Sequence, residues 1–260
     1  MKTQENKKIF MRGRWENLII RTYKCSQSVL QKYLPPDVEL DLWKGDALVS
    51  MVAFNFSKVK FFGIKVPFHQ NFAEINFRTY VKSKKGGMRG VLFLRELAPK
   101  MLIATMANFV YNEPFYYLNV KNKYKETATG QNMMYRFKSG KKSGKISIEA
   151  TKEALNLTIG TLAHFTVDRY ISFVKSYFSQ KASRYRIHHY PWKRYSVQKI
   201  DFDESILGLL PQDITNGLQK AAISTYFVDG SAVEVSTRMR EPKHLEIPKT
   251  WPADFTFEYK

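Results

Sequence analysis

Cysteine is nearly absent from this 260-residue chain. Cys25 is the only one, so neither an internal disulfide nor a thiolate metal cluster can form. A reducing compartment is expected. No window approaches 18 uninterrupted apolar residues, and the opening MKTQENKKIF runs into MRGRW rather than an apolar stretch. That pattern excludes a spanning helix and a secretory leader, and predicts a cytoplasmic protein with no membrane partner. Acids are scarce: 23 Asp and Glu stand against 42 Lys and Arg, a formal charge of +19. The imbalance is uneven, with residues 1–200 at net +23 and residues 201–260 at net −4. GxSxG, GxGxxG and GxxxxGK[ST] are all missing, so nucleophile-elbow, dinucleotide and phosphate-loop readings have no local support. The five histidines include no HxH or HExxH spacing, and the adjacent His188 and His189 would point to opposite sides of a strand. Neither a metal nor a cofactor is expected.

What is present is period-two apolar alternation: ALVSMVAF (47–54), NFAEINFRTYV (71–81), GVLFLREL (90–97), YISFV (170–174), RYRIHHY (184–190), ISTYFV (223–228) and SAVEV (231–235). These runs read as strands. Asp229-Gly230 predicts a tight hairpin between the last two, and Gly86-Gly87 another inside KSKKGGMRG. Three helices are expected. One is SQSVLQKYL, capped by Ser26 and stopped by Pro35-Pro36. Another covers 99–111, and the third is DESILGLLPQDITNGLQKAA, broken at Pro211 with Asp203 or Ser205 and then Asp213 as caps. Residues 121–146 read as a lysine-rich pair of turns around one short strand, Met133 to Phe137. With no repeat and no linker, the economical organisation is one α+β domain over residues 1–260, large enough to bury a real core.

Alternation puts Glu74, Asn76, Arg78 and Tyr80 on one face of their strand and Ile75, Phe77, Thr79 and Val81 on the other. A wholly polar face means either solvent or the lining of a cavity where Glu74 and Arg78 would orient a small polar ligand. RYRIHHYPWKR (184–194) adds basic and aromatic groups, among them His189 and Trp192. The lysine clusters KSKK (82–85) and KSGKKSGK (138–145) sit in Gly/Ser turns, which predicts solvated loop tips rather than a continuous basic groove. No RNP1 or zinc-finger pattern occurs, so nucleic acid ranks last among the partners considered.

The order of segments carries a resemblance. W-x-N-L near residue 15, VLQKYLPPDVELD, AxVSMVAF, FAEINFRTYV, GVLFL, VDRY, HYPW and VDGSAVEV resemble the DUF2071 or YqjF-like family, uncharacterised bacterial relatives of acetoacetate decarboxylase. The likeness covers nearly the whole chain. It implies an acetoacetate decarboxylase-like fold: a curved, mostly antiparallel sheet closed into a cone or partial barrel, with helices packed outside and a ligand cavity within. In the decarboxylase relatives a glutamate before the central hairpin faces the cavity, and a Pro-Lys-Lys motif some forty residues later supplies the Schiff-base lysine and a second cation. Glu74 matches the glutamate. The lysine positions fall on Asn112-Glu113-Pro114-Phe115-Tyr116, where Phe and Tyr offer no amine, and Pro99-Lys100 lies too early. The resemblance therefore implies a cavity for a small anionic or carbonyl-bearing molecule without Schiff-base decarboxylation. Glu74 would be the acid or base and Arg78 the anion clamp, with Tyr116 in place of the amine and Arg169, Tyr170, His189 and Trp192 as the wall. An enzyme of another reaction type is the alternative, and a homo-oligomer is compatible with either.

Overall fold

The computed structural model describes residues 9–99, 115–140, 142–174 and 182–238. Alternating runs become strands β1 (Ile9–Cys25), β2 (Val38–Leu40), β3 (Ala47–Phe61), β4 (Phe72–Ser83), β5 (Arg89–Ala98), β6 (Phe115–Tyr117) and β7 (Asn119–Glu126). They continue as β8 (Gly130–Ser139), β9 (Lys142–Asn156), β10 (Ile171–Val174), β11 (Ser183–His189), β12 (Lys193–Phe202) and β13 (Leu218–Ser236). Helical segments among the described residues are short: α1 (Gln27–Gln31), α2 (Leu162–Val167), a 3₁₀ turn (Glu204–Leu209) and α3 (Gln212–Gly217).

The strands form one sheet in the order β1-β3-β4-β5-β10-β11-β13-β12-β9-β8-β7, with β2 on β4 and β6 on β5. Because β1 also pairs with β13 over most of its length, the seven strands from β1 to β13 close into a ring. From β13 the sheet continues outward as an open tail, β12-β9-β8-β7. Among the described strands, only β10 and β6 run parallel to their partner β5. This mostly antiparallel, partly closed α+β architecture is the one expected.

Two apolar cores lie on the two faces of β4. Ile75, Phe77 and Val81 pack with Met133, Tyr135 and Ile148 of the tail and with Leu30, Ile206 and Ile214 from the helical segments. The second core draws on every strand of the ring, through Trp15, Phe54, Tyr80, Phe93, Val174, Ile187 and Val228, and α2 adds Phe165 and Val167. Strand β4 is consequently buried on both faces. Each fully buried Ile, Phe or Val contributes about 1.5–3 kcal/mol, which helps offset desolvation of the polar row opposite.

Four expectations are corrected. Asp229 and Gly230 do not turn a hairpin: β13 runs through them, because both apolar halves complement β1, with Val228 opposite Leu18 and Val233 opposite Gly13. Gly230, at φ 85°, pairs with Glu16, the neighbour of Asn17, which also has a positive φ of 58°. Residues 121–146 hold parts of three paired strands, since the polar β7 is held by backbone pairing to β8 and not by an apolar face of its own. The third helix is only a 3₁₀ turn and α3, and QKAA already belongs to β13. Asp203 does cap the 3₁₀ turn, accepting from Ser205 N–H, whereas Pro211 occupies the cap position of α3. Finally, Lys121, Lys123 and Lys125 lie along β7 and Arg136 and Lys138 along β8, so the basic charge is not confined to loop tips. The Gly86-Gly87 turn is found, both residues having positive φ, 81° and 64°. The helix expected over 99–111, and residues 112–114, fall outside the described residues from Lys100 on.

Candidate functional site

Strand β4 brings its polar row into the second core. Register sets Glu74 beside Phe54, Asn76 between Val52 of β3 and Glu96 of β5, and Arg78 beside Ser50. All are buried: Glu74 is 2% exposed, Asn76 4%, Arg78 5%, Tyr80 1% and Glu96 4%. Two carboxylates and a guanidinium thus share one dry face.

Helix α2 covers one end of this row. Thr161 caps it, accepting from His164 N–H, and its last turn offers the Thr166 carbonyl to two donors. Arg78 Nη2 donates to it at 2.8 Å and Tyr80 OH at 3.2 Å. Behind Tyr80 the hydroxyls of Ser50 (2.6 Å from Tyr80) and Thr22 (2.7 Å from Ser50) continue a buried chain. Since Tyr80 gives its proton to the carbonyl, Ser50 donates to Tyr80 and Thr22 to Ser50.

Just after α2, Arg169 donates from Nε to the Phe165 carbonyl at 2.8 Å and from Nη1 to Asp41 at 2.9 Å. Asp41 also accepts from Arg89 at 2.7 Å. Burial pulls the Arg169 guanidinium down to about 10, against the pull of Asp41, and Arg89 adds to the depression. Its carbon lies 5.2 Å from the centre of the Tyr80 ring, and that of Arg78 lies 5.9 Å from the same ring.

An aromatic stack packs into the same core. His189 lies between Tyr170 (4.5 Å between ring centres) and Trp192 (4.0 Å), and Trp15 touches Trp192 and Phe54. His189 Nδ1 faces the Tyr190 carbonyl at 2.8 Å and Nε2 the Arg169 carbonyl at 3.3 Å. Burial, helped by the charge of Arg78, pushes the imidazole down to about 4 even though both carbonyls favour the proton. At neutral pH it is uncharged and packed, and its single N–H can donate to one of the two carbonyls at a time. Trp192 donates to Ser231 at 2.9 Å.

The structure therefore gathers Glu74, Asn76, Arg78, Tyr80, Arg169, Tyr170, His189 and Trp192 around one core. Tyr116 does not join them. It pairs with Leu97, on the opposite sheet face from Glu96, is 46% exposed and packs against the Arg95 guanidinium at 4.2 Å. Parallel pairing with β5 sets this, placing alternate residues of β6 on alternate faces. Trp15, Glu96, Asp41 and the Thr22–Ser50 pair were not singled out from sequence. Only the W-x-N-L motif pointed toward Trp15.

Several buried polar atoms have no hydrogen-bond partner: Trp15 Nε1, Arg78 Nε, Arg169 Nη2 and Asn76 Oδ1. The three donors, Trp15 Nε1, Arg78 Nε and Arg169 Nη2, are groups that an anion would satisfy, because an ionised carboxylate only accepts. Among the described residues no group of three or more His, Cys, Asp or Glu is placed to hold a metal ion, and no helix is long and apolar enough to cross a membrane.

A ring of strands that is not a regular barrel is an acetoacetate decarboxylase-like fold, and solved structures share it. The enduracididine biosynthesis enzyme MppR complexed with pyruvate superposes with a TM-score of 0.60 at 10% identity, covering 90% of this chain and 91% of that one. Acetoacetate decarboxylase from Legionella pneumophila gives 0.58 at 14% identity over 89% and 87%. The family model DUF2071, described as an uncharacterized conserved protein, matches residues 12–220, and the chain belongs to that family. The uncharacterized protein YqjF of Bacillus subtilis is 26% identical over 189 residues, 70% of this chain and 74% of its own.

Proposed function

We propose that the buried face of β4 binds a small carboxylate that also carries a carbonyl, of the 2-oxo acid class, and does so without a Schiff base. The observation that carries this reading is the Arg78 guanidinium. It is 5% exposed, its Nη2 meets only a backbone carbonyl, its Nε has no partner, and no carboxylate of the described residues lies within ion-pair distance. Burying an uncompensated cation costs several kcal/mol, and a ligand carboxylate would recover part of that through charge-assisted, two-pronged hydrogen bonding. Trp15 and Asn76 supply a further donor and acceptor for a carbonyl or hydroxyl. The pyruvate in the MppR complex supports the ligand class.

Glu74 and Glu96 favour a second reading, an enzyme of another reaction type, because two carboxylates on one dry face can hold and pass a proton. Calorimetric titration with pyruvate and with its neutral analogue hydroxyacetone separates the possibilities. Pyruvate is expected to bind at least tenfold more tightly, and Arg78→Met to abolish the preference. Equal binding of the two, or none of either, overturns the carboxylate reading. Borohydride trapping of a lysine adduct with pyruvate or acetoacetate overturns the absence of a Schiff base.

A further inference from the structure

The outer face of the tail sheet carries cations in direct cross-strand register. Lys121 of β7 lies opposite Arg136 of β8, which lies opposite Lys145 of β9. The next rows read Lys123, Met134, Ser147, Asp201 and Lys125, Asn132, Glu149, Lys199, and on the other side Lys138 follows Arg136. The opposite face of β8 and β9 is buried in the core through Met133, Tyr135, Phe137, Ile146 and Ile148, and β7 adds Val120. One face is therefore fixed by packing and the other is free to serve a surface role.

Like charges directly opposite in a sheet destabilise it, so the row Lys121, Arg136, Lys145 costs stability. Lys145 is compensated by Asp201 at 2.6 Å, and Lys199 approaches Glu149 at 3.5 Å. Among the described residues, no carboxylate forms an ion pair with Lys121, Lys123, Lys125, Arg136 or Lys138. Two depressions of about 340 and 460 Å³ lie on this face and share Lys145 as a wall. Asp201 and Glu149 line the first and Asp203 the second.

We propose that this face binds the phosphate backbone of a nucleic-acid duplex without reading sequence. Alternate residues of a strand are about 6.7 Å apart, so Lys121 to Lys125 spans about 13 Å, over which one strand of a duplex presents about four phosphates. A bilayer is the poorer match, because Met134 is the only apolar side chain in these rows and it is half-buried, leaving nothing to insert. No aromatic ring occurs in the rows to stack on unpaired bases, and lysine predominates over the arginine fork that reads base edges.

The test is titration of a labelled 20-base-pair duplex over a salt series, using the full chain. Binding is expected with log K falling against log salt at a slope of about −4.5, for about five phosphate contacts. Lys123→Glu with Arg136→Glu should weaken it at least tenfold and flatten the slope by about 2. Lys58→Glu with Lys65→Glu, an equal charge change at the end of β3 and in the loop that follows it, should weaken it less than threefold. Equal loss in both variants reduces the effect to net charge and overturns the proposal. Binding to phosphatidylserine vesicles but not to the duplex overturns it as well. Should the double reversal fail to fold, Lys121→Gln with Lys125→Gln serves in its place and is expected to weaken binding at least threefold. Arg136→Gln alone should raise the melting temperature, since it relieves the repulsion in its row.

Discussion

Arg169 and Asp41, 128 residues apart, form a buried ion pair: Nη1 donates to the carboxylate at 2.9 Å, with side-chain exposures of 4% and 9%. The pair ties the segment after α2 to the loop between β2 and β3, and a second cation, Arg89, meets the same oxygen from the more exposed side. Removing one member of a buried pair strands the other. Asp41→Asn is expected to lower stability by about 3–5 kcal/mol, read as a shift in the urea midpoint with unchanged slope. A loss under 1 kcal/mol would show that the site tolerates an unpaired Arg169.

Acid should destabilise the fold through His189. Its folded pKa, about 4, lies below the ordinary value of 6.5, so between those values the unfolded chain holds the proton and the folded chain does not. Stability then rises with pH across that window and falls on acidification, by roughly 3 kcal/mol in full. His189→Phe, which keeps a ring between Tyr170 and Trp192, should remove this part of the pH dependence whatever it does to stability at pH 7. Chemical denaturation of both proteins at pH 7, 5.5 and 4.5 checks it, and parallel pH profiles would contradict the assignment.

Gly230 has φ 85°, and a Cβ there would lie 2.0 Å from the Trp15 carbonyl oxygen. Gly230→Ala is expected to cost at least about 2 kcal/mol, from left-handed strain and from forced separation of β1 and β13. Thermal melts measure it, and Gly208→Ala, where nothing lies within 4 Å, should be far milder.

Tyr80→Phe removes the link between Ser50 and the Thr166 carbonyl. A loss of about 1–3 kcal/mol follows from leaving the Ser50 hydroxyl without its acceptor, and replacing Thr22, Ser50 and Tyr80 together with Val, Ala and Phe should cost less than the sum of the single changes. Additive losses would show that the three hydroxyls act independently.

Tyr116 faces away from Glu74. Tyr116→Ala is accordingly expected to leave pyruvate affinity within twofold of the parent in the same calorimetry that tests Arg78→Met, and a tenfold loss would bring Tyr116 back to the site.

The polar row of β4 was legible because side-chain direction alternates strictly along a strand, whatever surrounds it. Whether Glu74 and Arg78 met water or protein was not, since that depends on α2 and β11, which arrive from about 90 to 110 residues later. Arg169 and His189 belonged to recognisable segments, yet nothing local showed that the His189 nitrogens would turn to backbone carbonyls. Asp229-Gly230 misled because the turn preference of a dipeptide is weak against a 17-residue partner strand on which both flanks can pair. KNKYKE (121–126) has no apolar period to betray a strand, and it becomes one only because β8 offers a complementary edge.

The ring is joined by its first and last described strands, β1 and β13, which begin about 200 residues apart. During synthesis β1 can gain β3 within some forty residues, but its other edge stays unsatisfied until Leu218–Ser236 has left the ribosome. Such late, long-range closure favours slow folding and an interval in which an apolar edge is open to aggregation. Until then the outer edge of β1 is the place where a second nascent chain would pair most readily.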